Sequence, residues 1–132
     1  MPGTGMIRIG GVALLLSGLL LGSPAGYAHH SFAMFDASRN LTLTGTVKQV
    51  DYANPHVWVY LTVENNGKVE NWGMEGGNLG GLYRMGWTKD SVKVGDKITM
   101  QVHPLKDGTA GGQIVQVTTS DGHVFGRGGP PQ

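Results

Sequence analysis

The chain has 132 residues, with 23 glycines, six prolines, no cysteine and only 14% charged side chains, which is enough for one domain and too little for two. Ten Lys and Arg against nine Asp and Glu leave a formal charge of +1, so there is no basic surplus for gripping nucleic-acid phosphates. The lack of cysteine excludes a disulfide framework, a thiol nucleophile, a zinc ribbon and a cysteine-linked lipid anchor. Any metal site has to be built from His, Asp, Glu, Met or a chain terminus.

Residues 1–28 read as an export signal. Arg8 and the N-terminus supply the positive end, and Ile9 to Gly22 form a 14-residue, mostly apolar run. Ser23-Pro24 breaks that run, and Gly26-Tyr27-Ala28 places small residues three before and one before a cleavage point. The run is shorter than the ~20 residues that span a bilayer as a helix, so an uncleaved membrane anchor is the weaker alternative. Cleavage after Ala28 leaves a formally neutral domain of 104 residues beginning at His29. It predicts a periplasmic or secreted protein with no membrane attachment of its own.

Residues 29–40 form an N-terminal arm carrying Phe32, Met34 and Phe35, of the kind that docks on a sheet edge. Residues 41–125 read as the folded domain. Leu41, Leu43, Gly45 and Val47 alternate with Thr42, Thr44, Thr46 and Lys48, which predicts a first strand with one wet face. Gly45 marks a bulge or bend within it. After the Asp51–Pro55 turn, His56 to Val63 is rich in β-branched and aromatic residues on both faces and reads as a central strand. Asn65-Asn66-Gly67 predicts a hairpin, and Lys68 to Met74 returns as a third strand.

Asn78 to Gly86 is the one segment with a helical pattern, carrying Leu79, Leu82, Tyr83 and Met85 on a common stripe. Asn78 is placed to cap its start and Gly86 its end. Ile98 to Val102 and Gln113 to Thr119 read as a fourth and a fifth strand, and Asp121-Gly122 turns into Val124-Phe125. Residues 126–132 are a Gly- and Pro-rich tail. Three strands, a short helix and two more strands predict a mainly β domain: a five-stranded barrel of the oligonucleotide/oligosaccharide-binding (OB) type. A small β-sandwich with a helical connection is the alternative.

All five histidines follow the export signal. His29 would offer both its α-amine and its ring nitrogen to one metal, and a second imidazole would complete a tetragonal site. Such a nitrogen set suits copper(II) best. His30, His56 and His103 are the candidates for the remaining positions. Asn54-Pro55-His56-x-Trp58 is the densest motif, with two readings: a tight turn with Trp58 covering a sheet face, or a cleft with His56 as a ligand. Trp58, Tyr60 and Trp72 form a candidate aromatic face for a small ligand, a glycan or a periplasmic protein. Glu75 is expected to pair with Arg84, tying the helix to the third strand, and Trp87 to plug the core.

Enzyme signatures are lacking. No serine sits in a G-x-S-x-G elbow, and no H-E-x-x-H occurs. Gly76-Gly77-Asn78-Leu79-Gly80-Gly81 has neither the Lys-Ser/Thr of a P-loop nor dinucleotide-binding spacing. The composite expectation is an exported binding protein without catalysis, metal-binding through its histidines or ligand-binding through its aromatic face. A metal-dependent oxidase with an N-terminal histidine brace is the enzymatic alternative.

Three pieces of the chain carry a resemblance. They are His29-His30-Ser31-Phe32-Ala33-Met34-Phe35-Asp36, then Gly45-Thr46-Val47 running to Asn54-Pro55-His56-Val57-Trp58. The third comprises Trp72 and Glu75 followed by Leu82, Arg84, Gly86-Trp87 and Gly95-Asp96. Together they resemble an uncharacterised family of small exported bacterial proteins, a domain of unknown function. The resemblance implies compartment and architecture more than activity. Its pattern has a proline ahead of the helix, where this chain has Gly76-Gly77.

Overall fold

The computed structural model describes residues 32–126. The expected export signal, His29, His30 and the tail beyond Gly126 lie outside the described residues. The elements are β1 (Leu41–Asp51), β2 (Trp58–Asn65), β3 (Lys68–Glu75), α1 (Leu79–Arg84), β4 (Lys97–Pro104), β5 (Gly111–Thr119) and β6 (Val124–Gly126). Antiparallel pairing runs β3-β2-β1-β4-β5-β6, and a short parallel pairing of β3 with β5 closes the first five strands into a barrel. The fold is therefore the expected OB-like barrel with one short helix between β3 and β4, not a sandwich.

Local chemistry explains the elements. The β2–β3 hairpin turns through Asn66 and Gly67, whose φ angles of 52° and 76° are both positive. Those two residue types accept the left-handed region that a two-residue turn demands. The turn pairs Asn65 with Lys68 and fixes the register back to Trp58 opposite Glu75. In α1, the Asn78 side chain accepts a hydrogen bond from the Gly81 N–H at 2.7 Å. At its other end Gly86 has φ +87°, and the N–H groups of Gly86 and Trp87 return to the carbonyls of Tyr83 and Leu82. Leu82 is buried and Leu79 and Met85 pack against the core, but Tyr83 is 71% exposed and leaves the expected apolar stripe.

β1 departs from expectation at its bend. The register slips between Val47 and Gln49, two residues beyond Gly45. Gly45 serves a different need: a Cβ there would lie 2.7 Å from the Thr62 carbonyl oxygen of β2. Gly76-Gly77 brings the end of β3 against Val57. The Gly76 N–H donates to the Val57 carbonyl at 2.7 Å, and the Val57 N–H donates to Gly77 at 3.0 Å.

The barrel interior is filled by the alternate residues of each strand, including Val59, Leu61, Met74, Met100, Val102 and Val117, all essentially inaccessible. Trp87 and Phe125 stopper one end with ring centroids 5.4 Å apart, so Trp87 is the core plug its position suggested. Before β1, the arm pairs with the far end of β4. Phe35 bridges Leu105, the Asp36 N–H donates to Pro104, and Met34 accepts from the Lys106 N–H. Phe35 is buried by this docking, whereas Met34 stays half exposed.

Candidate functional site

Burial alternates through β2 and the residue before it: Val57, Val59, Leu61 and Val63 are buried, while Trp58 and Tyr60 between them are only partly covered on the outer face. Directly paired residues share a face. The outer face therefore carries two rows across the closing seam. One row is Tyr60, Gly73 and Gly111; the next is Trp58, Glu75, Gln113 and His103. In the first row Tyr60 leans over Gly73, and Leu105 leans over Gly111, where added Cβ atoms would meet them at 3.5 and 2.7 Å. These side chains help enclose polar residues on what would otherwise be an open surface. Glu75 is 5% exposed and Gln113 7%.

A buried carboxylate is costly unless its oxygens find donors. Glu75 finds one in His56: its Oε1 lies 2.6 Å from the imidazole Nδ1. The ring stays 28% accessible, so Nδ1–H donates inward and Nε2 is the nitrogen left for another partner. The turn that delivers His56 is tied down by Asn54, whose side chain accepts from the Leu79 N–H at 3.0 Å; the Asn54–Pro55 peptide is cis. Trp58 and Tyr60 stand beside this pair with ring centroids 6.3 Å apart and planes at 18°.

His103 repeats the arrangement. Its Nδ1 lies 2.9 Å from the Arg39 carbonyl oxygen, so N–H donation there again leaves Nε2 free. An imidazole held at one nitrogen by a carboxylate or carbonyl and open at the other is the orientation that metal-ligating histidines adopt. His56 and His103 nevertheless stand apart on the face, and among the described residues no three His, Asp or Glu side chains converge as a metal-binding group. His29 and His30 lie outside those residues.

Two expectations are corrected, and one residue of the face carried no expectation. Trp72 does not join Trp58 and Tyr60: it pairs with Leu61, packs against the core on the inner side and donates its Nε1–H to Glu70 at 3.3 Å. Arg84 does not pair with Glu75: it is exposed on α1, and the partner of Glu75 is His56. Gln113 was missed as a site residue. Its parity within the fifth strand placed it outward, but only the parallel pairing of β3 with β5 sets it beside Glu75.

A cleft of about 470 Å³ lies towards the opposite end of β4 and is lined by Asp90, Lys93, Lys97, Asp121, His123 and Phe125, among others. The Thr119 hydroxyl, followed by the His123 backbone N–H, holds the Asp121 carboxyl below its ordinary range. Those bonds build the β5–β6 turn and leave Asp121 committed to it.

The chain belongs to a family of unknown function (DUF6152), whose model matches residues 18–115. No curated protein and no solved structure matches it. Among the described residues, no helix is long and apolar enough to cross a membrane.

Proposed function

We propose that this is an exported, non-catalytic binding protein that takes a transition metal, copper(II) before others, through imidazole nitrogens. The observation that carries the reading is His56, held at Nδ1 by the buried Glu75 carboxylate while its ring stays partly accessible and Nε2 is left for another partner. A metal on Nε2 would draw the shared proton towards Glu75, and the carboxylate would raise the basicity of the ring as a ligand. His103, held at Nδ1 by Arg39, is the second prepared imidazole.

The chelating part of the site is the mature N-terminus. After cleavage behind Ala28, His29 contributes its amine and ring to one metal, with His30 as a further nitrogen donor. Phe35 is fixed against Leu105, so chain geometry keeps residue 29 within about 20 Å of that anchor. The nitrogen set favours copper(II) by its preference for tetragonal geometry.

The test is copper(II) titration by calorimetry on naturally exported and cleaved protein, beside a copy with one extra residue before His29. Mass spectrometry establishes where each chain begins. The reading expects one-to-one binding that collapses in the extended copy and weakens about 10- to 100-fold in one of the two variants His56→Ala and His103→Ala, not in both. Equal binding in both copies, or none in either, overturns it.

A further inference from the structure

We propose that the free edge of β3 docks a second copy of this chain, strand against antiparallel strand, about a two-fold axis at Val69. β3 pairs with β2 along its whole length, from Lys68 to Glu75. On its other side β5 takes only Gly73, Met74 and Glu75, and the Gly73 N–H donates to the Ala110 carbonyl. Backbone groups alternate in direction along a strand, so Asn71 and Val69 send their N–H and C=O the same way as Gly73. Among the described residues no strand pairs with them there. An edge of this kind is a template for another strand, and the Val69 side chain beside it is 61% exposed.

The charges select the strand. Residues that exchange backbone hydrogen bonds must face one another, so Val69 and Asn71 can meet their copies in three registers. Asn71 against the partner's Asn71 sets Val69 against the partner's Gly73, whose counterpart here is already bonded to Ala110. Val69 against the partner's Asn71 sets Glu70 directly opposite the partner's Glu70, and like charges in that position are destabilising. Val69 against the partner's Val69 sets Lys68 opposite the partner's Glu70 and Glu70 opposite the partner's Lys68. Both pairs fall at the non-hydrogen-bonded positions, where side chains come closest. Lys68, its side chain 78% accessible, already reaches Glu70 of its own strand at 3.4 Å, so the seam would join four charges in one alternating network. Charged residues on an edge ordinarily discourage pairing. Here they are self-complementary in one register, which admits a copy of the chain and disfavours strands of other patterns.

No histidine takes part, so this inference stands apart from the copper reading. The test is sedimentation equilibrium of the exported, cleaved protein from about 1 μM to about 1 mM, with EDTA present so that no metal bridges two copies. The parent should show a monomer–dimer equilibrium. Val69→Pro removes only an N–H that faces away from β2, a change an edge strand tolerates, and should leave a folded monomer. Lys68→Glu places carboxylates opposite one another on both sides of the axis and should weaken the dimer about tenfold or more. Lys68→Glu combined with Glu70→Lys restores opposite charges in the same register and should recover it. Where Val69→Pro fails to fold, the charge pair carries the test alone, because Lys68 is exposed. A parent that stays monomeric throughout, a folded Val69→Pro protein that dimerises like the parent, or a double swap no stronger than Lys68→Glu overturns the proposal.

Discussion

The seam between β3 and β5 holds Glu75 beside Gln113, and Gly112 is the residue on which it turns. A Cβ at position 112 would lie 2.9 Å from the His103 carbonyl oxygen and 3.0 Å from Cβ and Cγ2 of Val102. Neither neighbour can swing away: one is backbone, and the other belongs to a side chain with no accessible surface in the barrel interior. Reaching ordinary contact requires β5 to retreat from β4 by about 0.5 Å, against the grain of a close-packed core. Overpacking of this kind costs about 1–3 kcal/mol, offset by about 0.4–1 kcal/mol from the stiffer unfolded chain. Gly112→Ala should therefore lose about 1–2 kcal/mol, or roughly 4–16 °C in Tm for a domain of this size. Gly77→Ala is the control, because its Cβ would meet nothing closer than Leu82 Cγ at 3.9 Å and its φ is not positive. It should be neutral or slightly stabilising. Urea unfolding of the two variants decides: a Gly112→Ala protein as stable as the parent, or a Gly77→Ala protein equally damaged, refutes the reasoning.

The other expectations are simpler. Arg84→Ala should leave the unfolding midpoint within about 0.5 kcal/mol, since Arg84 is exposed and Glu75 is held by His56. His56→Ala should cost about 1–3 kcal/mol by stranding the buried carboxylate; equal effects in the same denaturation assay would contradict the pairing. Trp87→Ala should lose about 3–5 kcal/mol, and Trp58→Ala distinctly less, because Trp87 is 2% exposed in the core and Trp58 lies outside it. The Asp36 carboxyl is held below its ordinary 3.8, chiefly by the Ser38 hydroxyl. Its contribution to the arm's turn is therefore full above the ordinary value and disappears as pH falls through the lower, folded one. The Ser38 amide shift should titrate with a midpoint below 3.8; a midpoint at or above 3.8 sinks the assignment.

What could be read from the residues divides by range. The Asn66-Gly67 turn, the Asn78 and Gly86 caps and the alternation of β1 are local, and the structure has them where sequence chemistry puts them. Trp72 was misassigned despite a local signal. A two-residue turn at Asn66-Gly67 fixes every pair in the hairpin, so Tyr60 must face Gly73 and Trp72 must join Leu61 on the inner side. Arg84 failed for a geometric reason: it lies two residues, about 200°, around the helix from the buried Leu82. The placement of Gln113 beside Glu75 was beyond sequence reading, because a parallel pairing between distant strands leaves no short-range trace.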